Sequence, residues 1–246
     1  MNPVLLIGGS DSSGGAGVQR DLVTLTELQV PALCALTAVT AQTDAAVLAV
    51  QVLPETLVRA QLEAAFAGAR PGAVKSGMLA AATTVRAVAE VLEREAEVPF
   101  VLDPVLRATS GAALLSEAGR ESLVKRLLPR ATVLTPNVAE AAALLGARPA
   151  GSEDALLEQG SSLLALGARA VLLKGGHLGG AESTDWLLEA SGERTRLSAP
   201  RSARDMRGTG CALASAIAAY LAAGTPLAEA CARAKQYLTA RLQAGR

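Results

Sequence analysis

The residues of this 246-residue chain best suited to chemistry by type and spacing are Arg207-Gly208-Thr209-Gly210-Cys211. Glycines ahead of an Ala-rich helical stretch let successive backbone N–H groups converge on an anion, and the helix dipole adds favourable potential. Such a cradle suits the charge that develops on a transferred phosphoryl group. Cys211, in the first helical turn, is expected to have a lowered pKa and to take a proton from a substrate hydroxyl. Alone, the same residues read equally well as a flexible loop followed by a small buried cysteine.

Other polar residues fall at comparable places. Asn137-Val138-Ala139-Glu140 has capping-box spacing, a structural device that is also compatible with placing two polar side chains near Mg²⁺ or its waters. Ser12-Ser13-Gly14-Gly15-Ala16-Gly17 is neither a dinucleotide fingerprint nor a P-loop, and reads either as a backbone lining for a small ligand or as a tight turn. Gln42 interrupts an apolar stretch; its carboxamide suits a heteroaromatic ring edge, or it is an exposed loop amide. Lys174 either faces phosphates or ends its strand in water, and His177 reads as structural.

The elements that must position these residues follow from the periodicity. Short Val/Leu-rich runs at 4–8, 73–75, 99–102, 132–134 and 170–173 predict strands. Amphipathic stretches at 16–28, 55–67, 81–95, 118–127, 138–145, 153–166, 210–223 and 227–242 predict helices. This order predicts an α/β fold with a mostly parallel sheet covered on both faces. Residues 32–53 read as strand without a long helix, and Ser191-Gly192 marks a hairpin between residues 185–188 and 194–197. Each predicted parallel strand finishes in a polar or Gly-rich cluster, and in such sheets ligands bind beyond the carboxyl ends of the strands. No linker or repeat interrupts residues 1–246, which predicts a single domain.

Composition narrows the function classes. The 23 basic and 23 acidic residues are interspersed, so no basic face for nucleic acid or an anionic membrane is visible. No apolar run approaches the roughly 18 residues of a membrane span. Three cysteines without CxxC spacing and a single histidine do not support a zinc site, and a reducing cytoplasm is the expected compartment. Aromatics make up only 2%, so the core must be built from closely packed Ala, Leu and Val.

In combination, these segments resemble the hydroxymethylpyrimidine/phosphomethylpyrimidine kinases, thiamine-biosynthesis enzymes of the ribokinase-like superfamily. The resemblance is carried by Gly9 through Gln19, Ala41-Gln42-Thr43, Lys75-Ser76-Gly77-Met78-Leu79 and Asp103-Pro104-Val105. It continues through Thr135 to Ala141, Lys174-Gly175-Gly176-His177, Asp185-Trp186 and Gly208-Thr209-Gly210-Cys211, in order over nearly the whole chain. Sugar kinases of the superfamily carry Gly-Ala-Gly-Asp where this chain has Gly-Thr-Gly-Cys.

The resemblance implies a ribokinase-like three-layer sandwich and two phosphorylations dependent on ATP and Mg²⁺. The first converts 4-amino-5-hydroxymethyl-2-methylpyrimidine to its monophosphate, and the second converts that to the diphosphate. By motif position, Gly9, Asp21, Gln42, Met78 and Val105 would surround the pyrimidine. Asn137, Glu140 and Asp103 would serve the metal, and Lys174 and Arg207 the nucleotide phosphates. Gly208, Thr209 and Gly210 would form the anion hole, with Cys211 as base. The resemblance also implies a homodimer with residues 32–53 at the interface or acting as a lid.

Three features depart from the family pattern. Thr109 stands in place of a lysine, Arg207 in place of a histidine, and the sequence ends at Arg246 without a glycine- and histidine-containing tail. Arg207 is expected to offset the phosphate contact that Thr109 does not make. The rival readings are a kinase for a B6 vitamer, against which Gln42 and Met78 weigh, and a non-catalytic pyrimidine sensor. The intact Gly208–Cys211 and Asn137/Glu140 sets weigh against the sensor.

Overall fold

The computed structural model describes residues 2–176, 181–202 and 206–244. His177 lies outside them. Among the described residues, nine strands form one sheet in the order β3-β2-β1-β4-β5-β6-β7-β8-β9. These are β1 (Val4–Asp11), β2 (Ala32–Gln42), β3 (Val47–Val52), β4 (Ala73–Ser76), β5 (Phe100–Leu102), β6 (Val133–Leu134), β7 (Ala170–Lys174), β8 (Glu182–Glu189) and β9 (Arg194–Pro200). The strands from β2 through β7 pair in parallel. Antiparallel partners close both edges, β3 at one end and the β8–β9 hairpin at the other.

The period-two alternation of the strands divides the core. Val4, Leu6, Ala73, Val101, Val133, Ala170 and Leu172 point to one face, where α1 (Gly17–Glu27), α7 (Thr209–Ala222) and α8 (Leu227–Ala244) cover them. Leu5, Ile7, Val74, Phe100, Leu102, Leu134, Val171 and Leu173 point to the other. There α2 (Glu55–Gly68), α3 (Ala82–Arg94), α4 (Glu117–Ser122), α5 (Val138–Leu145) and α6 (Glu153–Ala165) pack. This is the three-layer sandwich that the resemblance implies. No helix among the described residues is long and apolar enough to cross a membrane.

Helix α7 is the central helix of its layer. Ala212, Leu213, Ala214, Ser215, Ala216, Ile217, Ala218, Ala219 and Leu221 are all buried, so it is enclosed on nearly every side. A helix can be surrounded in this way only if it is apolar all round, and its small side chains bring neighbouring backbones close. The Ala-rich composition therefore brings the start of α7 down onto the sheet.

Two segments differ from the sequence-based expectation. The helix expected at 118–127 is α-helical only through Ser122; it widens into a π-turn at Leu123–Leu127 and tightens into a 3₁₀ turn at Leu128–Arg130. Pro129 cannot donate to the carbonyl four residues earlier, so the regular ladder has to break before it. Strand β1 runs beyond the predicted Gly8 to Asp11, because after a bulge at Gly8/Gly9 it continues to pair with Ala38, Val39 and Thr40 of β2. Pairing overrides the poor strand propensity of the glycines, and it carries Asp11 to the functional end of the sheet.

Candidate active site

Strand β1 lies between β2 and β4, and the chain crosses from one side of β1 to the other between them. Such a switch point opens a crevice at the carboxyl ends of the strands. Gly9, on β1, lies directly against Met78: a Cβ there would lie 2.7 Å from the Met78 Sδ, so the methionine would have to shift. One at Gly77 would lie 3.0 Å from Lys75 Nζ and 3.9 Å from a Val105 methyl. Gly9, Met78 and Val105 are therefore neighbours at this point. Gln42 reaches the same end through Ser12, whose hydroxyl accepts from Gln42 N–H (2.8 Å) and donates to Gln42 C=O (3.0 Å).

Asp21 differs from its expected place. It is fully buried beneath the crevice, because its carboxylate neutralises a lysine that has no access to water. Lys75 Nζ donates to both Asp21 oxygens at 2.9 and 2.8 Å, and Ser215 Oγ of α7 donates to Oδ1 at 2.8 Å. Burial alone would lower the Lys75 pKa, but Asp21, with Cys211 and Asp103, outweighs it and holds the ammonium above its ordinary value. A lysine inside the apolar run Ala73-Val74-Lys75-Ser76 was the sequence signal for this pair, since a strand buried on both faces tolerates a charge only with a partner.

A second group assembles across β5, β6 and β7. Asp103 Oδ1 accepts from Lys174 Nζ at 3.1 Å and from Thr135 Oγ1 at 3.2 Å, and Glu140 Oε2 lies 3.7 Å from the same Nζ. Asn137 and Glu140 form the reciprocal capping box that starts α5, and Glu140 is at the same time beside Lys174. Burial lifts the Glu140 pKa, opposed by Lys174. Burial works against the Lys174 ammonium too, yet Asp103 and Glu140 hold its pKa above the usual value. Among the described residues no cluster of three or more acidic, histidine or cysteine side chains forms a self-sufficient metal cage. Two carboxylates at one point nevertheless fit Mg²⁺, which is commonly held by one or two carboxylates with phosphates and waters completing the shell.

The first turn of α7 joins the two groups. Gly208 is its N-cap at φ +74°, and a Cβ there would lie 2.6 Å from the Gly15 carbonyl oxygen. Only glycine accepts that conformation and that approach without strain. The Ser12–Gly17 segment is thus a turn packed against Arg207 and Gly208. A Cβ at Gly210 would sit 3.1 Å from Lys174 Nζ and 3.9 Å from Asp103 Oδ2, so Thr209 and Gly210 open the helix directly over that pair. Cys211 is the next residue of the same turn, close enough to Gly17 for its backbone N–H to favour the thiolate. Its expected low pKa is overturned. Burial pushes the thiol up to about 12; Lys75 pulls it down, while Asp21 and Asp103 add to the rise.

Arg207 is engaged by carboxylates: Nη2 donates to Asp11 Oδ2 at 3.3 Å, and Nη1 donates to Asp44 and to Ser13 Oγ. Thr109 is exposed on a loop. Asp185, a motif residue, accepts from the Gly175 N–H at 3.2 Å and from Lys235 Nζ at 2.7 Å, which anchors the turn after Lys174.

The sequence matches the phosphomethylpyrimidine kinase family over residues 11–246. The chain belongs to that family. It is 45% identical, over 98% of its length and 90% of the relative's, to the hydroxymethylpyrimidine/phosphomethylpyrimidine kinase of Rhizobium meliloti strain 1021. The crystal structure of the phosphomethylpyrimidine kinase of Clostridium difficile 630 superposes with a TM-score of 0.86 at 36% identity, over 98% of this chain and 100% of that one. The pyridoxal kinase of Staphylococcus aureus in complex with ADP superposes at 0.89 with 33% identity, over 98% and 88%.

This phosphomethylpyrimidine kinase family member has three free cysteines, of which Cys34 is exposed and Cys211 partly buried. A thiol raised to about 12 is almost wholly protonated at neutral pH. Iodoacetamide at mildly alkaline pH should therefore alkylate Cys34 well before Cys211, as read by peptide mass mapping. Preferential labelling of Cys211 would contradict the raised pKa.

Proposed function

We propose that this chain transfers the γ-phosphoryl group of ATP to the hydroxymethyl oxygen of 4-amino-5-hydroxymethyl-2-methylpyrimidine, and then phosphorylates the monophosphate to the diphosphate for thiamine biosynthesis. The observation that carries the reading is the double contact of one helical turn. Gly210 faces the Lys174–Asp103 pair, while Cys211 lies against the Gly9–Gly17 segment beside Met78. An acceptor hydroxyl on a ring at Gly9, Met78, Val105 and Gln42 would meet a phosphoryl group held over Lys174 at that turn.

The backbone N–H groups of residues 208–211 then face the oxygens on which charge spreads in a loose, metaphosphate-like transition state. Lys174 balances polyphosphate charge. Asp103, Glu140 and Asn137 would hold Mg²⁺, which when bound supplies further positive charge against the phosphates. In the first step a P–O bond forms to the acceptor oxygen, the β–γ bond breaks to release ADP, and the acceptor proton passes to Cys211 as thiolate. In the second step the acceptor is already an anionic phosphate and needs no such base.

The fold is also that of a pyridoxal kinase in complex with ADP, so a B6 vitamer is the second candidate acceptor. Comparing kcat/KM for the pyrimidine and for pyridoxal decides between them. Three free cysteines suit a reducing cytoplasm. Exposed Leu48 and Val50 of edge strand β3 leave apolar surface at one end of the sheet, which supports a homodimer joined there. Sedimentation equilibrium at micromolar concentration should give twice the 24.9 kDa chain mass; a monomer would remove that interface.

The chemistry is tested by a product time course by mass with pyrimidine, ATP and Mg²⁺ across a pH series. Below a Cys211 pKa of about 12, the thiolate fraction grows about tenfold per pH unit. First-step kcat should therefore climb with pH through the neutral and mildly alkaline range, while second-step kcat does not. Cys211→Ala should lower first-step kcat by roughly 10²–10⁴-fold, the scale of general-base loss, and the second less. A flat first-step profile would remove Cys211 as the base, and no product at all would refute the kinase reading.

A further inference from the structure

Arg207 holds two carboxylates that differ in how firmly they are fixed. Asp11 is buried and saturated: Oδ1 accepts from the Ser13 N–H (2.9 Å) and hydroxyl (2.8 Å), and Oδ2 from the Ala16 N–H (2.9 Å) and Arg207. It is a permanent strut under the guanidinium. Asp44 is the opposite case. It stands on the turn between β2 and β3, its side chain is 85% exposed, and its Arg207 contact lies on the outer side of the fork. Arg207 Nε is shut off from solvent and has no partner among the described residues, and Nη2 is held by buried Asp11, so Nη1 on the exposed side is the group most open to an anion.

The β2–β3 turn is fastened at two points. One is the Ser12–Gln42 pair of hydrogen bonds, and the other is Asp44 on Arg207. Both fasten it to the Ser12–Gly17 turn and to the residue that precedes the anion hole. The second fastening uses the donor that a substrate phosphate would use. Arg–phosphate pairs are charge-assisted and frequently bidentate, whereas an exposed Arg–Asp pair is weak. A phosphate arriving at the anion hole would therefore compete with Asp44 for the guanidinium, and while Asp44 stays it would repel that phosphate.

We propose that Asp44 is a specificity-determining residue that takes the place of a substrate phosphate on Arg207. With the uncharged hydroxymethylpyrimidine as acceptor, Asp44 stays on Arg207 and latches the turn carrying Gln42 over the ring. With the monophosphate as acceptor, the phosphate takes Arg207 and the latch opens. This rests on the acceptor pair proposed above. It makes Asp44 a bias toward the first phosphorylation, on a residue just beyond the Ala41-Gln42-Thr43 segment and 163 residues from Arg207.

Asp44→Asn in the full chain removes the charge while leaving a residue suited to a turn. KM for the hydroxymethylpyrimidine should rise about two- to five-fold, the scale of an exposed ion pair, and KM for the monophosphate should fall by a similar factor. Calorimetry with the monophosphate alone should show tighter binding by the variant. Hydrogen exchange of residues 43–50 without ligand should be faster in Asp44→Asn than in the parent. Equal shifts for the two acceptors, or no shift in either, overturn the proposal. If the parent turns over neither pyrimidine, the acceptor reading fails, and the ligand-free exchange still judges the latch: unchanged exchange overturns it.

Discussion

The buried Asp21–Lys75 ion pair is the interaction on which the site depends. It ties three elements at one point: α1 through Asp21, β4 through Lys75, and α7 through the Ser215 hydroxyl. Side-chain exposure is 1% for both partners, so the two charges have almost no water to compensate them. Removing one partner of such a pair costs about 3–5 kcal/mol, because the other charge is left stranded. The pair also sets the field at the site, since the Lys75 ammonium acts on Cys211 from below while Asp21 limits how far it can lower that thiol.

From this point the small residues explain the geometry. Ser215 lies one helical turn beyond Cys211, so fixing it fixes the rotation of α7 and therefore which way Gly210 and Cys211 face. The alanines that follow let the helix settle deep in its layer, which is why its first turn reaches the Lys174–Asp103 pair. Gly9, Gly15 and Gly208 are where backbones or long side chains come within about a side-chain radius of one another. The site is an assembly of close approaches around two sets of paired charges.

Much of this could be read in the sequence. Apolar runs ending in polar clusters gave the parallel strands and the end of the sheet that carries function, and the Asn137–Glu140 spacing gave the helix cap. Arg207 through Cys211 gave the helix start and its glycine-dependent entry. The hidden parts are those that depend on long-range pairing. Asp21 reads as one polar position on an amphipathic helix, and only Lys75, 54 residues away across the core, shows that it is sequestered. The Cys211 pKa is not legible there, because a helix N-terminus argues for a thiolate, whereas burial, which sequence spacing does not report, outweighs it. Asp44 belongs to no motif, and its pairing with Arg207 spans 163 residues.

The most direct test of this account is a double-mutant cycle on the ion pair, Asp21→Leu, Lys75→Met and both together, with unfolding free energy and first-step kcat measured on each. The single variants should each lose about 3–5 kcal/mol. The double variant should regain most of that stability, because no charge is left stranded, yet remain catalytically impaired because the ammonium beneath Cys211 is gone. A double variant that is stable and fully active would show that the pair only holds the fold together, and would contradict its place at the centre of the site.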